Sequence, residues 1–231
     1  MTDFLSGAPA FGLVLSLSAY LLGDFARKRL KLLWLHPLLP AVLLVIAVLL
    51  LTGLPYESYI ESAGLLSFLL GPATVCLAIP LYKRLRLLRR NWKAVLGGAL
   101  AGVLSSLFGV LLLAKLTGLG AAEYASLLPK SVTTAIGVGI AAELGGQRAV
   151  SGALIILTGI FGSLSAGLVC RLFGLREPLA KGLAIGTSAH AIGTAKAFEM
   201  GETEGAVSGL AIVISGVLTV IFAPLFAGLI G

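Results

Sequence analysis

The residues able to do chemistry in this chain gather in one phrase written twice. Thr134 to Gly145 reads TAIGVGIAAELG, and His190 to Gly201 reads HAIGTAKAFEMG, fifty-six residues further on. Hydroxyls and cations stand around both copies: Lys130, Ser131, Thr133 and Thr134 in the first, Thr187, Ser188, His190, Thr194 and Lys196 in the second. Gly137 and Gly193 allow a tight turn and close approach of a ligand to the backbone. A helix that starts at such a turn presents unpaired N–H groups and about half a positive charge. Two such starts facing one cavity make an anion site. The neighbouring hydroxyls suit a small carboxylate that also carries a keto or hydroxyl group.

The positions where the copies differ are informative. His190 stands where the first copy has Thr134, and Lys196 where it has Ile140. An ionisable group within a membrane is costly and marks a candidate site. His190 is suited to donating to a carboxylate or to carrying a coupling proton; a hydrogen bond to a neighbouring helix is the structural alternative. Lys196 lies three residues before Glu199, a spacing that also permits a local ion pair. Thr158 and Ser215 occupy matching places downstream and are further coupling candidates, with sodium coupling left open beside proton coupling.

The chain that carries these residues is very apolar. Of 231 residues, 58% are hydrophobic and 12% charged, and the mean hydropathy is +1.05. Average soluble domains carry about 25% charged residues. The composition predicts an all-α polytopic membrane protein. The net charge of +7 does not point to nucleic acid, because the cations cluster in short loops between apolar runs, where they orient spans and meet anionic lipid. No G-x-S-x-G, H-E-x-x-H or Walker loop is present, so no enzyme, cofactor or metal centre is expected. Cys76 and Cys170 lie in separate apolar runs, and both are expected to be buried and reduced. The N-terminus lacks a basic n-region, so no cleaved signal peptide is expected.

Apolar runs at about 9–23, 32–54, 60–82, 92–118, 149–173 and 205–230 give six candidate spans. Two further stretches, 127–147 and 182–201, are interrupted by Gly, Ser, Thr, Lys and His. If both crossed fully, Arg171, Arg176 and Lys181 would lie outside. If both are re-entrant, thirteen of the seventeen basic residues lie inside, as the positive-inside bias favours. The second arrangement is preferred, with the N-terminus outside.

The repeat continues past the phrase. AVSGALIILTGI (Ala149 to Ile160) matches AVSGLAIVISGV (Ala206 to Val217), and KAVLGGALAGVLSS from Lys93 is a weaker echo. Each unit is a short Gly-rich segment followed by a full span. Re-entrant segments would make residues 126–175 and 182–231 inverted copies, the pattern of secondary transporters with a site near the midplane. Their tips are expected at Ala135-Ile136-Gly137 and Ala191-Ile192-Gly193, with Glu143 and Glu199 at the wet ends and Gly145 and Gly201 as C-caps. Residues 1–120 would form a scaffold, residues 121–231 an elevator-like transport core, and the whole a homodimer.

The phrases LLPKSVTTAIGVGIAAELGG and LAIGTSAHAIGTAKAFEMGETEGAVSGLA resemble the LrgB/CidB family. That family includes the YohK-like bacterial proteins and the carrier half of the plastid glycolate/glycerate translocator. The resemblance implies a protein of the bacterial inner membrane that carries a small monocarboxylate such as pyruvate, glycolate, glycerate or lactate. The family's other reading is kept as the alternative: an antiholin-like regulator of a pore-forming LrgA/CidA-type partner and of murein hydrolase export.

Overall fold

The computed structural model describes residues 10–30, 36–76 and 78–230, and every regular element among them is a helix. The chain forms two compact units, Met1–Cys76 and Leu77–Gly231.

In the first unit, α1 (Phe11–Leu30) packs against α2 (Leu38–Thr52) and α3 (Tyr56–Ser62), and α4 (Gly64–Cys76) follows. Small residues set the contacts. A Cβ on Gly12 would lie 2.5 Å from the Tyr59 carbonyl oxygen, and one on Gly23 2.5 Å from that of Pro37. The Gly12 N–H donates to Ser62 Oγ at 2.9 Å, and the Ser16 and Tyr59 hydroxyls share a 2.8 Å hydrogen bond. At fifteen residues α2 reaches roughly 22 Å at 1.5 Å per residue, and Gly53, at φ 66°, ends it. The apolar run 60–82 is not one helix. It is interrupted at Ala63, between α3 and α4, and α5 (Ala78–Lys83) lies further along the same run. Ser62 turns its hydroxyl back onto the Ser58 carbonyl, and Pro72 inside α4 supplies no N–H to the helix ladder. Cys76 is exposed, contrary to expectation, whereas Cys170 is buried.

The second unit continues with α6 (Leu85–Arg90), α7 (Trp92–Thr117), α8 (Ala121–Leu127), α9 (Thr134–Glu143), α10 (Arg148–Leu172), α11 (Pro178–Met200) and α12 (Glu202–Ala227). Helices α7, α10 and α12 are long and apolar enough to cross a membrane. Their outward Leu, Val and Phe side chains are exposed, Leu112, Phe161 and Val213 among them, as a lipid-facing surface requires.

The contacts fix the direction of each helix. Gly182 meets Glu204 and Val207, and Gly186 meets Ser208 and Ala211. The first half of α11 therefore runs parallel to α12. Helix α7 is parallel to both, since Gly98 meets Leu183 and Gly102 meets Thr187. Past His190 the order reverses: Thr194 bonds Ser208, and Phe198 abuts Gly205. Helix α11 is thus a hairpin folded at His190. Helix α10 runs the other way, because Gly159 meets His190, Gly162 meets Ala189, and Ala166 clusters with Ile185. So α10 is antiparallel to α7 and α12. Two fully crossing segments between these spans would have made all three parallel.

The small-xxx-small pair Gly182/Gly186 lets α11 and α12 approach closely. A Cβ on Gly186 would lie 2.5 Å from the Ser208 carbonyl oxygen, which is backbone and cannot yield cheaply. Gly186→Leu is expected to cost about 3 kcal/mol or more, the upper range for overpacking. Thermal unfolding in detergent should show a lowered midpoint, with Gly139→Leu, which has open space, close to the parent.

Candidate functional site

A chain reversal stands at the start of each copy, but neither falls at the expected Ala135-Ile136-Gly137 or Ala191-Ile192-Gly193, which lie in the first turns of the returning helices. A Cβ on Gly137 would lie 3.1 Å from the Pro129 carbonyl oxygen, and one on Gly193 3.4 Å from that of Ile185. Each contact spans eight residues, a separation of about 12 Å in a continuous helix at 1.5 Å per residue. The first reversal is a turn over 128–133, closed by the Val132 N–H to the Pro129 carbonyl at 3.2 Å. Its base is fastened by the Gln147 N–H donating to Ser126 Oγ at 2.7 Å. The second reversal occurs in one residue, His190, at φ 41° and ψ −138°. That is the backbone of a primed turn, which glycine adopts readily and other residues rarely.

The two hairpins enter from opposite ends of α12. Tyr124, on α8, donates its hydroxyl to the Phe226 carbonyl at 2.9 Å, so the first hairpin begins beside the C-terminal end of α12. The second joins α12 at its N-terminal end through Gly201. Their tips meet midway. Ile136 reaches Gly216, where a Cβ would lie 2.9 Å from Ile136 Cδ1. Ile192 reaches Gly159 at the same 2.9 Å. In the repeat Ile136 matches Ile192, and Gly216 matches Gly159. Each copy thus packs its tip isoleucine on the glycine of the other copy's helix.

A small polar seam lies between the tips. Ser106 of α7, Ser131, Thr187, Ser215 and Thr219 border a cavity of about 10 Å³, room for roughly one water. Ser106 and Ser131 share a hydrogen bond at 3.0 Å, and Lys130 Nζ donates to Ser131 Oγ at 3.2 Å. Thr187 Oγ1 donates to the Leu183 carbonyl at 2.8 Å. Ser215 Oγ is buried and has no hydrogen-bond partner among the described residues.

The other candidate residues are distributed around this seam. His190 is buried, with Nε2 2.8 Å from the Ile155 carbonyl oxygen. Ile155 also packs its side chain against Gly137, so one residue of α10 touches both tips. Thr194 is buried and bonded to Ser208 at 2.6 Å. Thr133 precedes α9 without capping it by its side chain. Thr134 and Ser188 are exposed and do not border the seam, and Ser188 Oγ bonds back to the Ala184 carbonyl at 2.7 Å. Thr158 is half-buried and does not border the seam. Lys196 pairs with Glu199 at 2.7 Å and borders a separate cleft. Gly145, at φ 82°, follows the end of α9 in the left-handed form, but Gly201 is extended at φ 168°. Ser106 and Thr219 were not singled out by the sequence; Ser106 closes the Lys93 echo, and Thr219 lies just past the second matched phrase.

One asymmetry of the repeat leaves a gap. Ser208 pairs with Thr194; the counterpart of Ser208, Ser151, is buried with no hydrogen-bond partner among the described residues, and the counterpart of Thr194 is Val138, which packs toward the neighbouring Gly152. Val138→Thr is expected to supply that partner, stabilising the fold by about 1 kcal/mol. Thermal unfolding of the single and of Val138→Thr/Ser151→Ala should show a gain that disappears in the double variant.

Comparisons with known proteins place this architecture. The LrgB-like family model matches residues 16–229. The chain is 38% identical to the antiholin-like protein LrgB of Bacillus subtilis (strain 168) over 225 residues, covering 97% of both chains. It is also 38% identical to the same-named proteins of Bacillus cereus (strain B4264) and Bacillus anthracis (strain CDC 684 / NRRL 3495), each over 224 residues and 97% of the relative. No solved structure matches the chain. This membrane protein, with helical hairpins at its repeated phrases, belongs to the LrgB-like family.

Proposed function

We propose that this protein is a secondary transporter of small monocarboxylates in the cytoplasmic membrane, and that residues 126–175 and 182–231 form an inverted repeat. The observation that carries the proposal is the reciprocal contact of Ile136 on Gly216 and Ile192 on Gly159, with hairpins entering from opposite ends of α12. Such opposed, interrupted segments belong to carriers whose site lies near the midplane. Helix α9 and the second half of α11 both start at the meeting point, and no side chain caps α9 there. Their N-termini favour an anion. Lys130, Ser131 and Ser215 supply polar groups along the seam, Thr187 and Ser188 offer only hydroxyl lone pairs because each O–H is bonded to its own helix, and Thr134 is an exposed hydroxyl.

A cavity of about 10 Å³ does not admit a three-carbon acid, so transport requires the tips to separate. The repeat's asymmetry indicates which one moves. His190 fastens the second tip to α10 through the Ile155 carbonyl. Thr134, its counterpart, makes no side-chain hydrogen bond among the described residues and is exposed. The first tip is fastened instead by a hydroxyl pair, Ser131 with Ser106 of α7, at 3.0 Å, and breaking that pair would free the first hairpin as the gate. His190 is also the candidate proton carrier, with sodium as the alternative coupling ion. The positive-inside rule assigns Arg171, Arg176 and Lys181 to the cytoplasm and the N-terminus to the outside. Residues 1–120 would serve as scaffold and dimer contact.

The relatives' names support a second, non-carrier activity: an antiholin-like regulator acting on a pore-forming membrane partner of the LrgA/CidA type. The two activities separate in proteoliposomes. Saturable uptake of labelled pyruvate, glycolate, glycerate or lactate by the purified chain supports the carrier. No saturable flux of any of them, with or without a proton or sodium gradient, eliminates it. A dye leak that the chain suppresses only when an LrgA-type partner is co-reconstituted would establish the regulator.

A further inference from the structure

A second cavity, away from the tips, carries an inference of its own. It is an open cleft of about 520 Å³ between the C-terminal part of α10, the turn that follows, and the returning half of α11. Four cations border it: Arg171, Arg176, Lys181 and Lys196. Only Lys196 has an acidic partner, the exposed Glu199; Arg171, Arg176 and Lys181 make no ion pair among the described residues. Three unpaired cations around one cleft repel one another, and an anion seated between them relieves that repulsion.

The surroundings indicate the kind of anion. Leu168, Leu172 and Phe173 are 60%, 75% and 71% exposed on the same end of α10. An apolar skirt beside a basic cleft at a helix end fits a lipid whose chains lie along the skirt and whose headgroup enters the cleft. The cleft lies within the size range of small-molecule sites, about 300–1,000 Å³. We propose that this cleft is a phosphate site occupied by the headgroup of an anionic phospholipid, seated between α10 and the second hairpin. The site is independent of what the tips carry.

Binding is measured on the purified full chain by native mass spectrometry and thermal shift, with phosphatidylglycerol, phosphatidylcholine and inorganic phosphate as separate additives. Phosphatidylglycerol is expected to remain bound and to raise the unfolding midpoint, and phosphatidylcholine to do neither. Arg171→Gln with Arg176→Gln should weaken phosphatidylglycerol binding roughly thirtyfold, at about a factor of five per cation. Arg86→Gln with Arg89→Gln removes equal charge elsewhere and should leave binding unchanged. Stabilisation by inorganic phosphate alone, abolished by the Arg171/Arg176 pair, would keep the phosphate site and overturn the lipid as its source. Equal response to both lipids without any phosphate effect, or equal loss in both double variants, would overturn the site. Unfolding midpoints without additive identify any variant that has lost its fold; Lys181→Gln then repeats the test singly.

Discussion

A disulfide between positions 106 and 131 is expected to reduce monocarboxylate uptake to the level of protein-free liposomes, and reductant to restore it. The Ser106 and Ser131 oxygens are 3.0 Å apart, close enough for cysteine sulfurs at these positions to approach the 2.05 Å of a disulfide. The bond would tie the first hairpin to α7 and hold the tips around a cavity that fits only water. The variant Ser106→Cys/Ser131→Cys is made with Cys76→Ser and Cys170→Ala. Unchanged uptake by the oxidised protein would mean that this hairpin does not gate.

His190 carries the second large effect. Removing the imidazole leaves the Ile155 carbonyl without its cross-helix partner and a void against Gly159. The carbonyl keeps its own helix bond, so the loss is that of one added hydrogen bond, about 0.5–1.5 kcal/mol, together with the void. The backbone works in the opposite sense: φ 41° at a non-glycine residue stores roughly 1–3 kcal/mol, which glycine would release. His190→Ala should therefore lower the unfolding midpoint, and His190→Gly should recover part of that loss. Neither should recover transport, with uptake down about tenfold or more, the equivalent of 1.4 kcal/mol or above. Full uptake in the glycine variant would reduce His190 to a structural latch.

Much of this arrangement is legible in the sequence because the repeat supplies an internal alignment. The phrase A-I-G-x-x-x-A-x-E-x-G follows just after each chain reversal rather than forming it, and its two isoleucines are the residues that cross over to Gly159 and Gly216. The charge pattern also favours the arrangement in which α10 opposes α12. The faces of the helices are less legible. These helices are apolar on nearly every side, so no amphipathic stripe distinguishes the seam from the lipid. Ser106 and Thr219 border the seam without standing out from ordinary span serines and threonines. Thr134 and Ser188 are exposed although their counterparts in the repeat, His190 and Val132, are buried. The interruption at Ala63 falls inside an apolar run, and hydropathy does not record it.

Glu143 and Glu199 occupy the same place in the repeated phrase, and both are exposed. A cysteine at either position, in the background lacking Cys76 and Cys170, can be labelled in sealed, oriented vesicles with a membrane-impermeant maleimide. Opposed hairpins predict that Glu143→Cys and Glu199→Cys react from opposite faces of the membrane. Reaction of both from one face would contradict the inverted arrangement on which the transport proposal rests.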